Sequence, residues 1–206
     1  MTFNDWPWRH WRQRRGEALA LRLNNQPLTW RELCARVDAL ASGFVAQGVM
    51  EGQGVALRAY NQPETLLAWL ALLQCGARVL PLNPQLPAVL LQALLPALTM
   101  QHQLVLNGDV LPGNLPMLTL QLVEGEHAVC WHGDRLVSMT LTSGSIGLPK
   151  AAVHSASAHL ASAAGVLALM PFAAGDDWLL SLPLFHVSGQ GIVWRWLLAG
   201  ARLTVC

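Results

Sequence analysis

The sequence predicts an α/β fold: a layered αβα arrangement around a largely parallel sheet. Three observations predict it. Strand-like runs alternate with helix-like segments of about 10–15 residues, as in parallel strands joined by crossovers. Thr29 and Glu32 carry a capping-box signature, and Gly48, Gly76 and Gly200 stand where helices would stop. A loop rich in glycine and hydroxyls, Thr142 to Lys150, follows an apolar strand, and open α/β sheets bind ligands at the carboxyl ends of their strands.

The first helix is short, and Arg9, Arg12, Arg14 and Arg15 are expected on its solvated face. Ala18 to Leu23 reads as a strand ending in the turn Asn24-Asn25. The next helix starts at Thr29 and runs to about Gln47, with Leu33, Val37, Leu40 and Phe44 on one face. Val55 to Ala59 is a strand, and Asn61 is the expected cap of a helix through Leu73. Arg78 to Leu82 is a strand, closed by the turn Asn83-Pro84. A helix over Ala88 to Leu98 is interrupted by Pro96. Short strands are expected near Leu104 to Leu106 and Met117 to Leu122. Strands Leu136 to Leu141 and Ala151 to Val153 flank the glycine loop. Helix Ser157 to Leu169, strand Trp178 to Leu182, helix Ser188 to Leu198 and strand Leu203 to Val205 follow.

Composition narrows the setting. Apolar residues make up 53% and charged residues 12% of the chain, against about 25% charged in an ordinary domain. Either a membrane or a larger body must cover the excess. The membrane is disfavoured: the run Leu66 to Leu73 stops at Gln74, and Ser155 to Gly175 carries His159, several serines and Pro171. The N-terminus lacks the apolar core of a signal peptide. Net charge is +1, so nothing argues for nucleic acid or an anionic membrane as partner. The four cysteines show no metal-ligand spacing, and Cys34 and Cys75 fall on apolar helix faces. A cytoplasmic setting is expected. The final strand, with nothing after it, is expected to leave part of its sheet uncovered, which predicts poor solubility.

Chemistry concentrates in two segments. The first is the loop Thr142-Ser143-Gly144-Ser145-Ile146-Gly147-Leu148-Pro149-Lys150, which holds the only lysine of the chain. Glycines let backbone N–H groups close around phosphate oxygens, the hydroxyls add donors, and lysine supplies a compact cation. A plain surface turn is the alternative. The second is Leu184-Phe185-His186-Val187-Ser188-Gly189-Gln190-Gly191, between a strand and a helix. His186 is a structural or a functional histidine, Ser188 is a natural N-cap, and Gly189 and Gly191 permit close approach by a ligand. In that helix Arg195 lies between Trp194 and Trp196. It either snorkels to water or binds a substrate carboxylate bidentately. His154 and His159 have no evident partner.

Together the two segments resemble the phosphate loop and the following histidine motif of the adenylate-forming superfamily, which includes acyl-CoA synthetases. Within it the chain is similar to the bacterial 2-succinylbenzoate–CoA ligases of menaquinone biosynthesis. The likeness runs from Asp5-Trp6-Pro7-Trp8 through Leu67 to Pro81 and on to Gly189 to Trp196. It implies two steps, formation of an acyl-adenylate from ATP with Mg2+ and thioester formation with CoA. It also implies that Thr142, Ser143, Gly144, Ser145, Gly147 and Lys150 hold the phosphates and that His186 gates the aryl pocket. Ser188, Gly189 and Arg195 would line the site of an aromatic dicarboxylate. The intact enzyme would be a homo-oligomer. An inactive remnant that binds phosphate or a partner, and a ligase for another aryl or acyl acid, are the alternatives.

Two features depart from the family. Ile146 stands where the family loop usually has Thr, which removes a hydroxyl donor. The resemblance also implies that residues 1–206 are the N-terminal portion of the adenylation domain, with its C-terminal half and the small mobile domain absent.

Overall fold

The computed structural model describes residues 2–142 and 149–206. Two buried strands form the centre of the larger sheet. All of β3 (Gly54–Arg58) and all but the first residue of β4 (Arg78–Leu82) are buried, as in parallel strands covered on both faces. Strand β5 (His102–Val105) flanks β3, and β6 (Leu136–Thr142) flanks β4, all parallel. Strand β7 (Lys150–Ser155) adds an antiparallel edge, giving the order β5-β3-β4-β6-β7.

The expected α/β class holds, with the strands divided between two sheets. The smaller sheet has the order β2-β1-β9-β8, from β1 (Leu19–Leu23), β2 (Gln26–Thr29), β8 (Asp177–Leu179) and β9 (Arg202–Val205). Strand β9 is therefore not an open edge. It lies between β1 and β8, parallel to both. Strand β2 is an element the sequence reading lacked. The Asn24-Asn25 turn creates it: both residues have positive φ, 46° and 68°, the backbone of a tight hairpin.

The helices are α1 (Pro7–Arg15), α2 (Trp30–Ala46), α3 (Pro63–Gln74), α4 (Ala88–Leu94), α5 (Ala156–Leu169) and α6 (Val187–Ala199). The capping box at α2 is present in full: Thr29 Oγ1 accepts from Glu32 N, and Glu32 Oε2 accepts from Thr29 N. Pro96 ends α4 as expected, leaving a 3₁₀ turn over Leu95–Leu98. The strand expected over Met117 to Leu122 does not form, apart from one bridge between Met117 and Gln103. A glutamine takes over backbone groups in it: Thr119 N donates to Gln47 Oε1, and Thr119 O accepts from Gln47 Nε2.

The arginine face of α1 is not simply solvated. Arg9 Nη1 and Arg12 Nη1 reach the two oxygens of Asp38 on α2, at 2.7 and 3.2 Å. Asp38 is 2% exposed and also accepts from Gln74 Nε2, which ties α3 to the pair. Tryptophans fill the core beside this network. Trp6, Trp8, Trp30, Trp69, Trp194 and Trp196 are fully buried, and Trp30 stacks on Trp196 at 5.3 Å, joining α2 to α6. Cys34 and Cys75 are buried thiols, pushed up to about 12 by burial.

Candidate active site

The site is built at the carboxyl ends of the strands. Strand β6 runs into the glycine loop and β7 leaves it. Thr142 faces Lys150 as a cross-strand pair, and Thr142 Oγ1 donates to the Lys150 carbonyl at 3.1 Å. Both residues are exposed, and Lys150 makes no ion pair among the described residues. The chemistry expected of Ser143, Gly144, Ser145 and Gly147, and the departure at Ile146, lie outside the described residues.

The segment carrying His186 is held from two directions. Asn61 does not cap α3; Gln62 is the N-cap. Asn61 instead donates from Nδ2 to the carbonyls of Leu180 and Leu182, at 3.2 and 2.8 Å, and accepts from Leu184 N at 3.0 Å. Its amide replaces the ladder that β8 loses after Leu179. Gln190 on α6 is completely buried, and its Nε2 donates to Leu184 O and to Thr140 Oγ1 on β6. This side chain joins β6, the strand before the glycine-rich segment, to the segment that carries His186.

His186 is exposed and is itself the N-cap residue of α6, without a side-chain cap bond. Ser188 is therefore not the cap expected from its residue type. It is the second residue of the helix, exposed, with its hydroxyl released from capping. Gly189 serves packing rather than ligand approach. A Cβ there would meet Pro183 O at 2.1 Å and Leu182 O at 2.6 Å, both backbone atoms. Gly191 differs, because the nearest atom to a Cβ there is Arg195 Nη1 at 3.5 Å.

Arg195 therefore folds back over the preceding turn, as long helical side chains do. Ser188, Gly191 and Arg195 occupy the less buried stripe of α6, while Trp194 and Trp196 point into the core. The tryptophan beneath the guanidinium is neither neighbour in sequence. It is Trp178 of β8, whose ring centroid lies 4.7 Å from Arg195 Cζ. Among the described residues no carboxylate pairs with Arg195. Its Nε is buried without an acceptor, and burial lowers its pKa.

His159, which the sequence left without a partner, has one. Its Nε2 lies 2.7 Å from Ser138 Oγ, and its ring stacks on Trp194 at 5.2 Å. It supports α6 from behind. The sequence reading also missed Trp178, Asn61 and Gln190 as site-shaping groups. Gln190 alone carried a signal, as an uncharged amide within an apolar helix between two glycines.

Chemically the arrangement offers cations and hydrogen-bond donors. Among the described residues there is no cluster of His, Cys, Asp or Glu able to hold a metal.

A glycine-rich connection after the carboxyl end of a β-strand, in an α/β sheet whose next helix bears an arginine free of carboxylate partners among the described residues, is the arrangement to set against known families. The AMP-binding enzyme family matches residues 8–206, and the chain belongs to that family. It is 71% identical over 205 residues to the 2-succinylbenzoate–CoA ligase of Escherichia coli K12, covering 100% of this chain and 46% of the relative. The 2-succinylbenzoate–CoA ligase of Haemophilus influenzae is 42% identical over 178 residues, covering 85% of this chain and 37% of the relative. The solved structure of R195K E. coli MenE with bound OSB-AMS matches with a TM-score of 0.97 at 70% identity, over 100% of this chain and 46% of that one. The chain thus spans less than half the length of these relatives. No helix among the described residues is long and apolar enough to cross a membrane.

Proposed function

We propose that residues 1–206 are the N-terminal portion of the adenylation domain of an ATP-dependent 2-succinylbenzoate–CoA ligase. The observation that carries this reading is Arg195: a half-buried cation that has no carboxylate partner among the described residues, on the helix whose Gln190 is bonded to Thr140 of β6. An unpaired cation in such a place is costly unless a ligand anion meets it. A second carboxylate on an aromatic acid is the matching group. The names of the relatives support the same substrate.

In this reading Thr142, Ser143, Gly144, Ser145, Gly147 and Lys150 bind the ATP phosphates. The aryl carboxylate or its aliphatic partner is turned toward the α-phosphorus, while Arg195 and Ser188 hold the other end. The attacking carboxylate oxygen forms a bond to phosphorus, the bond to the pyrophosphate oxygen breaks, and acyl-adenylate results. Lys150 and the loop donors neutralise charge on the departing pyrophosphate. The CoA sulfur then attacks the acyl carbon, AMP leaves, and the thiol proton passes to solvent. His186, exposed at the start of α6, stands at the mouth of the acid pocket, and Gly189 keeps that turn close to Pro183. The setting is cytoplasmic, and Mg2+ supplies charge neutralisation when bound.

ATP–pyrophosphate exchange dependent on 2-succinylbenzoate tests the proposal. Arg195→Gln should lower exchange by about a hundredfold, the scale of a lost charge-assisted pair. Exchange that is equal with simple benzoates would assign the chain to another acid. Phosphate binding without exchange would leave it a binding remnant.

A further inference from the structure

We propose that Trp178 is a positioning residue for Arg195: its indole face holds the guanidinium in register for the ligand's second carboxylate. The proposal rests on the reading of Arg195 given above and extends it to a residue of β8 outside the motifs that carry that reading.

The problem it answers is physical. A long arginine side chain with no partner has many rotamers, and fixing it costs entropy. An aspartate would fix it but would also neutralise it and occupy its donors. An aromatic face attracts the cation through its quadrupole and leaves the N–H fork unspent. Arg195 Cζ lies 4.7 Å from the Trp178 centroid, and no acidic side chain among the described residues competes for it. The glycine at position 191 leaves the turn below free of a side chain, with a Cβ position 3.5 Å from Nη1.

Trp178 is itself held. Its backbone pairs with Leu203 in the interior strand β9. Phe172 meets its ring edge-on, at 4.9 Å and 82°. The cradle thus joins two distant elements. Strand β8 supplies the platform and α6 supplies the cation.

Calorimetric titration of the full 206-residue chain with 2-succinylbenzoate, and with benzoate as the single-carboxylate probe, tests this. Trp178→Leu should weaken 2-succinylbenzoate about tenfold and leave benzoate unchanged. Trp178→Tyr, which keeps an aromatic face, should recover most of the loss, and Phe172→Leu should cost about threefold. In an Arg195→Gln background, Trp178→Leu should add nothing. An unchanged affinity in Arg195→Gln defeats the carboxylate reading, and a parent chain that binds neither acid does the same; the positioning role falls with it. Weakening by Arg195→Gln, with Trp178→Leu either silent or equally harmful in both backgrounds, overturns the positioning role alone. A second readout needs no ligand. The Arg195 Nε–H proton should be shifted upfield by the indole ring current, and Trp178→Leu should abolish that shift; an unshifted proton in the parent also overturns the proposal.

Discussion

At the residue scale one buried histidine of the folded chain stays neutral at ordinary pH. Burial, and then the neighbouring His154, lower His159 to about 4. Unfolded, its imidazole would titrate near 6.5. The unfolded chain therefore binds a proton between pH 6.5 and 4 that the folded chain refuses. Stability from this group is fully present above 6.5 and is lost as pH falls through that window, by up to ~3 kcal/mol. Denaturant titrations of His159→Gln should show a flatter pH dependence from 7 to 4.5 than the parent, and equal slopes would count against this account. Position 146 offers a second residue-scale test. Ile146→Thr restores a hydroxyl donor to the loop, and ATP-dependent turnover should rise about ten- to a hundredfold. No gain in pyrophosphate exchange would remove Ile146 from the explanation.

At the element scale the start of α6 is fixed by close backbone packing and by side-chain hydrogen bonds to the segment before it. Gly189→Ala places a Cβ against the carbonyls of Pro183 and Leu182, and backbone cannot move aside cheaply. It should cost about 1–3 kcal/mol or more in thermal unfolding. Gly191→Ala meets only ordinary contacts and should cost far less in the same measurement. A similar penalty for both would mean that the helix start tolerates displacement. Asn61→Ala removes three hydrogen bonds to the segment before His186. A loss of about 1–3 kcal/mol is expected, with faster hydrogen exchange at the Leu184 amide. Much of this scale was legible beforehand. The capping box at Thr29, the stop at Gly200 and the break at Pro96 are governed by residues within one turn of one another. The cap at Ser188 was misplaced because the backbone enters the helix two residues earlier, at His186, where Leu184 is pinned by Asn61 and Gln190.

At the scale of the whole molecule, apolar surface remains uncovered around α5, β8 and the start of α6. Leu169 is 90% exposed, and Leu179, Leu182 and Val187 are about half exposed. Exposed apolar side chains in this number favour association where they adjoin. Sedimentation velocity on the chain alone should show concentration-dependent self-association, and a monodisperse monomer across the range would contradict this. By itself the sequence determined the alternation of strands and helices, the glycine-rich segment that ends in the single lysine, and the motif order shared with the AMP-binding family. Those signals are local, set by turn chemistry and by the period of apolar side chains. Only the tertiary structure decided that the strands divide into two sheets, that β9 lies between β1 and β8, that Asp38 gathers two arginines, and that Trp178 lies under Arg195. These contacts join residues far apart in the chain. Which of many possible partners wins is set by burial and packing of the whole core, and no short stretch of sequence records that competition.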